Sequence, residues 1–414
     1  MTIWFFLGDT FDWLEAHETV SGVPRVTVEL FYGALDHQNS ISSEVILPCT
    51  LTDANLEVTS ISLNETLTYL ALKATKRTPL SSASAPPPQA AKRPLLSRSP
   101  KPGDYVLFTG VVWTPLYIEL FRRLTARGVR ICVLIHDIIP VERADLVSDN
   151  AHNAFTEWLG VIIATARILF VSSRITKDHI LRWAVMSGHE VRARIAPITF
   201  GSSTLRCAPS PSSEEILLKT RGVDLRSFVL SVGTLDPRKN QLLLLRVWKR
   251  LVLELGEHRV PQLVLAGRND FSPVVFNDSR DLLERSTISM LGGLSDQELG
   301  GLYRACLFTV FPSLSEGYGL PVAESLRYGK LCISSNLATI REHAGDLAWY
   351  FDPNSESAAF ERIRLAIERP DLRFLAEQRI ISQYSSPSWQ SAFNLISKII
   401  HSDNVEELNL PNRT

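Results

Sequence analysis

Two carboxylates bracket a glycine-rich turn in FPSLSEGYGLPVAESL, residues 311–326, with Glu316 just before the turn and Glu324 inside the segment that follows. The apolar, β-branched run LFTVFPS reads as an interior strand leading in. Pro321 stands where a first helical turn accepts proline without losing a needed N–H. Gly317 and Gly319, with Tyr318 and Leu320 between and after them, let the backbone turn tightly and leave its amides uncovered. The unpaired N–H groups of the helix opening at Pro321 can then face an anion. Phosphate binding is the chemistry this junction suits, with two acids approaching one ligand from opposite sides of its phosphates. Capping by Glu316 and solvation of Glu324 would explain neither both glycines nor the second acid.

A second cluster lies in FVLSVGTLDPRKNQLLLL, where a strand ends at Gly233 and a helix begins near Asn240, leaving Arg238 and Lys239 on the connecting turn. Open α/β sheets bind ligands at the carboxyl ends of their strands, so the two cations stand where a ligand would. Arginine offers a bidentate fork for phosphate and lysine a compact charge. In IHDIIP, His136 and Asp137 end another strand. Ser172 and Ser173 end RILFVSS, with Arg174 after them. LVLAGRND ends a strand at Gly267, beside Arg268.

The spacing E-x7-E with GYGLP inside it resembles the signature of the retaining nucleotide-sugar glycosyltransferases of family four, which have the GT-B fold. VGxxxPRKN matches the same family, and the likeness runs from Ser21 through Pro353 to Trp389. The resemblance implies an α/β chain of two Rossmann-like domains facing across a cleft, with a C-terminal helix crossing back to the first. It implies that Arg238 and Lys239 stabilise the leaving diphosphate, that Glu316 binds the sugar and supports its developing charge, and that Glu324 holds the ribose. ISMLGGLSDQELGGLYRACLF resembles the block lining the base pocket, with Gly293 and Leu294 against the base and Leu302 and Tyr303 packing the helix. SDQEL is equally an ordinary helix start, Ser295 and Glu298 forming a capping box. SGVPRV resembles the family's glycine loop, placing Gly22 near the donor. His136 would bond the sugar, and Asp137 and Ser172 would lie on the acceptor side.

The activity implied is transfer of a hexose, mannose first, from a nucleoside diphosphate sugar such as GDP-mannose. The acceptor would be a hydroxyl of a glycan or lipid-linked molecule in polysaccharide or lipopolysaccharide assembly. No cofactor and no metal are expected, since no DxD pair follows a strand end. The alternatives are a noncatalytic assembly protein that keeps the fold, or a GT-B-type epimerase or phosphorylase.

The elements that must position these groups follow from apolar runs separated by helical periods. TIWFFLG, VILP, YVLFTG, ICVLIHD and RILFVSS form one series; FVLSVG, QLVLAG, ISMLGG, LFTVFPS, KLCISS and AWYFDP form another. Runs apolar throughout indicate strands covered on both faces, as in parallel sheets. RVTVELFYGAL and QLLLLRVWKRLVLEL have helical length. At 414 residues the chain exceeds what one core usually supports. The expected division is 1–205 as the acceptor-side domain, 206–388 as the nucleotide-sugar domain, and 389–414 as the C-terminal helix and tail, with SPSWQSAFNLISKII anchored by Trp389. Polar residues from Gly201 to Asp224 suit a linker.

Composition narrows the setting. Five scattered cysteines without CxxC spacing read as buried thiols in a reducing compartment. A formal net charge of −1 gives no ground for a nucleic-acid partner. The start MTIWFFLGDTFDW has no basic n-region or cleavage pattern, and no apolar stretch approaches ~20 residues. A cytoplasmic chain is expected. One segment, 78–103, is rich in proline and serine and reads as a mobile insertion. Lys73, Lys76, Arg77, Lys92, Arg93, Arg98 and Lys101, followed by Arg122, Arg123, Arg127 and Arg130, form a basic stretch there. It reads equally as a solvated surface or as a patch for peripheral contact with the inner face of the cytoplasmic membrane.

Overall fold

The computed structural model describes residues 2–17, 22–40, 44–52, 57–74, 98–202, 223, 227–268 and 287–408. The chain divides into two units, one of Met1–Gly201 with Pro387–Thr414 and one of Ser202–Ser386. Most of the 78–103 insertion and of the 201–224 linker, with Cys207, lies outside the described residues. The other four cysteines are buried free thiols.

In the first unit β1 (Thr2–Phe6), β2 (Val45–Thr52), β3 (Glu57–Ser60), β4 (Tyr105–Phe108), β5 (Arg130–Ile135), β6 (Ile168–Val171) and β7 (Arg194–Pro197) form one sheet in the order β3-β2-β1-β4-β5-β6-β7. Every pairing is parallel except β2 with β3. All four residues of β4 and of β6 are buried, which is why these runs carry no polar alternation. The order reverses between β1 and β4, so the carboxyl ends of those two strands diverge into one crevice.

The C-terminal helix Trp389–Leu408 returns to this unit and packs along the helix Gly22–Ser40. Contact is close enough that a Cβ on Gly33 would lie 2.5 Å from the Trp389 carbonyl. Phe393, fully buried, meets Phe5 and the His37 ring. Polar bonds fix the register: Ser397 donates to buried Glu44, and Asp403 accepts from Tyr105 Oη at 2.9 Å and Arg167 Nε at 2.8 Å. No described helix is long and apolar enough to cross a membrane.

In the second unit β8 (Phe228–Val232), β9 (Gln262–Ala266), β10 (Ile288–Leu291), β11 (Thr309–Phe311), β12 (Cys332–Ser335) and β13 (Trp349–Phe351) lie in the order β10-β9-β8-β11-β12-β13. All five pairings are parallel. The chain moves outward from β8 to β10, then restarts at β11 on the other side. β8 and β11 are therefore the switch point, and the segments after them lie side by side. The helix Gln241–Leu255 covers the sheet with Leu244, Val247, Trp248 and Leu251, all fully buried. Each such side chain contributes roughly 1.5–3 kcal/mol on removal from water, so the rims of the switch point rest on a rigid base.

Candidate active site

Arg238 and Lys239 follow β8, and Glu316 follows β11, on the two strands flanking the switch point. Asp236 caps the short turn Pro237–Lys239, accepting from the Lys239 amide at 3.1 Å. Asn240 then takes a left-handed conformation, φ 56°, which asparagine tolerates better than most residues. Its side-chain amide donates to the carbonyls of Pro312 and Pro353 at 3.1 and 3.0 Å. The Leu314 amide donates to Arg238 O at 2.8 Å, and Arg238 Nη1 donates to Ser315 O at 3.1 Å. These bonds tie the PRKN turn to the first half of the glycine turn.

Glu316 joins the two cations. Lys239 Nζ lies 2.5 Å and Arg238 Nη1 3.2 Å from Glu316 Oε1. The Lys239 ammonium also lies 5.2 Å from the centre of the Phe311 ring, within cation–π range. Burial raises the Glu316 carboxyl, but Lys239 and Arg238 outweigh it and hold the group below its ordinary range, so it is ionised at neutral pH. Two cations and one buried carboxylate leave the group with a positive balance at the carboxyl edge of a parallel sheet. That balance suits a phosphate-bearing ligand.

The glycine turn runs into the helix Leu320–Arg327, where Pro321 is the second helical residue and Gly319, φ 84°, stands at the N-cap without a side-chain cap. Glu316 therefore does not cap this helix. Glu324, only 3 % exposed, is not a solvated face residue either. Tyr303 Oη donates to Glu324 Oε2 at 2.7 Å, and Tyr303 is stacked on Tyr328 with ring centroids 5.2 Å apart. Tyr303 thus fixes the carboxylate as well as packing its own helix.

Ser295 and Glu298 form the expected capping box at the helix Asp296–Ala305. Gly293 precedes it with φ 61°, and Leu294 is half-buried. Gly267 ends β9 so close to β8 that a Cβ there would lie 2.0 Å from Gly233 O. That glycine serves packing between strand ends.

The first unit gathers its own residues around its strand ends. His136 Nε2 lies 2.7 Å from the Thr109 carbonyl; a carbonyl only accepts, so Nε2 carries the proton. Burial lowers its pKa, and the neutral ring presents Nδ1 as an acceptor. Asp137 accepts from the Ile139 amide at 3.0 Å. Ser172, 2 % exposed, donates to the His136 carbonyl at 2.7 Å, and Ser173 caps the helix Arg174–Ser187. Gly22, φ 61°, opens the helix Gly22–Ser40; Ser21 lies outside the described residues.

Sequence reasoning passed over Asp9. It lies just beyond β1 at this unit's switch point, and its Oδ2 accepts from the Val111 amide at 2.8 Å. A Cβ on Gly110 would fall 1.6 Å from that oxygen. Burial pushes its carboxyl up to about 7, and Oδ1 is buried without a partner among the described residues. An isolated aspartate after a strand has no pattern that would mark it. Thr339 and His343 were also missed, although both bond to the glycine turn.

Two parallel α/β units with a cationic, glycine-turned switch point define the class: the chain has the GT-B fold of glycosyltransferases. Residues 214–382, most of the second unit, match the family model described as glycosyl transferases group 1. Among solved structures, trehalose 6-phosphate synthase from Burkholderia multivorans is similar at TM-score 0.52 and 12 % identity, over 74 % of this chain and 72 % of that one. Anabaena Alr3699/HepE, solved with UDP-glucose, is similar at 0.51 and 15 %, over 73 % and 78 %. Among curated proteins of Escherichia coli, O-antigen chain mannosyltransferase B is 32 % identical over 170 residues, 40 % of this chain and 43 % of the relative. Serotype-specific mannosyltransferase WbdA is 26 % identical over 273 residues, 60 % and 33 %. The matches thus span less than half the length of those mannosyltransferases.

Proposed function

We propose that this chain is a retaining glycosyltransferase that moves a hexose, mannose first, from a nucleoside diphosphate sugar to a hydroxyl of a glycan or lipid-linked acceptor in polysaccharide assembly. The convergence of Arg238, Lys239 and Glu316 beside the glycine turn carries this reading. The names of the E. coli relatives favour mannose, hence GDP-mannose as donor.

In this reading the donor diphosphate lies against the two cations and the backbone amides of the turn. As the glycosidic bond breaks, negative charge grows on the departing phosphate, and groups fixed beforehand stabilise it more than the ground state. Glu316 keeps Lys239 and Arg238 oriented and meets the positive charge developing on the sugar. Glu324, oriented by Tyr303, binds the ribose. The acceptor hydroxyl enters on the face the phosphate leaves, its proton passing to that phosphate, so the anomeric configuration is retained. His136 Nδ1 accepts from a sugar hydroxyl, while Asp137 and Ser172 shape the acceptor side, Ser172 through the His136 carbonyl.

Incubation with a panel of GDP- and UDP-sugars and candidate acceptors, reading nucleoside diphosphate release and product anomer by NMR, tests this. Donor binding without transfer to any acceptor would favour the noncatalytic alternative; an inverted anomer would refute retention. Exposed Arg98, Lys101, Arg122 and Arg127, with Arg123 paired to Glu119 at 2.7 Å, belong to the described part of the basic stretch and support peripheral contact with an anionic bilayer. Arg130 does not belong to it, because its guanidinium donates to Tyr105 Oη and Asn404 Oδ1 at 3.0 and 2.8 Å. Salt-sensitive sedimentation with anionic liposomes is the expected result, and a protein left in the supernatant at low salt would remove membrane contact.

A further inference from the structure

The short helix Ala338–Ala344 touches the glycine turn through three residues on one face. Thr339 Oγ1 donates to the Glu316 carbonyl at 2.7 Å. One turn later His343 Nε2 lies 2.7 Å from the Tyr318 carbonyl, and the His343 and Tyr318 rings stack with centroids 4.3 Å apart. Between them Ile340 stands 3.1 Å from where a Cβ on Gly319 would lie. A carbonyl only accepts, so His343 carries its proton on Nε2. Burial lowers its pKa to about 4, which keeps the ring neutral and this tautomer in place.

A trans peptide is planar, and its C=O and the following N–H point in opposite directions. Drawing the carbonyls of residues 316 and 318 toward the helix Ala338–Ala344 therefore turns the amides of Gly317 and Gly319 toward the other side. Two amides aimed alike on a turn form a concavity suited to an anion. Arg238 and Asn240 restrain the first half of the turn, at Ser315 and Pro312, and the helix Ala338–Ala344 holds the carbonyls of residues 316 and 318.

We infer that Thr339 and His343 are positioning residues, which aim the Gly317 and Gly319 amides at the diphosphate of the nucleotide ligand. This rests on the proposed function. Both act through backbone carbonyls and touch no substrate. Loss of either bond loosens the peptide it holds, so affinity for phosphate falls while affinity for the rest of the nucleotide is kept. A residue that merely packed the unit would change both alike.

The test uses the full chain and calorimetry with GDP, UDP and ADP, and with the corresponding nucleosides as competitors. For whichever diphosphate the wild type binds, His343→Leu and Thr339→Val are each expected to weaken binding about tenfold and nucleoside binding less than twofold. His343→Gln, which offers an N–H near the position of Nε2, and Thr339→Ser are expected to stay within about threefold of wild type. Wild-type diphosphate affinity in both His343→Leu and Thr339→Val would overturn the inference and leave the functional reading standing. Equal losses for diphosphate and nucleoside would also overturn it. A wild-type chain that binds none of the three diphosphates refutes the functional reading and this inference with it.

Discussion

Replacing Glu316 by glutamine removes a buried negative charge that lies on both Lys239 and Arg238. The Glu316 side chain is 8 % exposed and that of Lys239 14 %, so water screens the loss poorly. Breaking a buried ion pair from one side costs roughly 3–5 kcal/mol, because the remaining charge stays behind without a partner. Glutamine keeps one acceptor oxygen, which puts the expected cost at about 3 kcal/mol. For a unit of the size of Ser202–Ser386, that lowers the melting temperature by roughly 6–12 °C. A diphosphate restores negative charge to the two cations. Glu316→Gln is therefore expected to bind nucleoside diphosphate at least as tightly as wild type, and to gain more thermal stability from a saturating amount of it. Sugar transfer should nevertheless fall by a factor of about 100 or more, the scale for losing a preorganised electrostatic group. Thermal melts with and without nucleotide, calorimetry and turnover measure all three. A variant that melts with wild type, or binds diphosphate more weakly than wild type, would refute the idea that this carboxylate balances the cations that hold phosphate.

Glu324→Gln is expected to weaken donor binding by roughly 1–3 kcal/mol, and Tyr303→Phe by about 1 kcal/mol; unchanged calorimetric affinity in well-folded Glu324→Gln would remove the ribose role. Because Arg238, Lys239 and the turn amides already supply positive charge, transfer should survive EDTA, and a loss restored by magnesium or manganese would overturn that assignment. Burial raises the Asp9 carboxyl to about 7 in the folded chain, against about 3.9 when unfolded, so its contribution is present below pH ~4 and is lost as pH rises through 7. Asp9→Asn, neutral throughout, should exceed wild type by roughly 4 kcal/mol at pH 8, the gap closing toward pH 4; denaturant midpoints that differ equally at both pH values would contradict it.

Strands buried on both faces were plain in the sequence, since the apolar runs YVLF and QLVLA leave no other reading. The edges were not: β3, EVTS, pairs antiparallel at one margin, and β7, RIAP, ends in proline at the other. Each is too short and too little covered to need a continuous apolar run. At the site, Arg238, Lys239, Glu316 and Gly319 were legible because charge and φ > 0 demand particular residue types. Thr339 and His343 were silent because they bond carbonyls that every residue owns, so the turn carries no mark of its partners. Tyr303 and Glu324 are joined only by the packing of two helices, a relation that spacing along the chain does not encode.

The return of Trp389–Leu408 to the first unit sets an order on biosynthesis. The groove along Gly22–Ser40 awaits Phe393, and Glu44 awaits Ser397. Both partners leave the ribosome about 200 residues after the first stretch of that unit is complete. At roughly 5–20 residues per second, an apolar face stays uncovered for roughly 10 to 40 s, while the contiguous second unit has every residue it needs. The nascent chain therefore closes its later-made half first and its earlier-made half last.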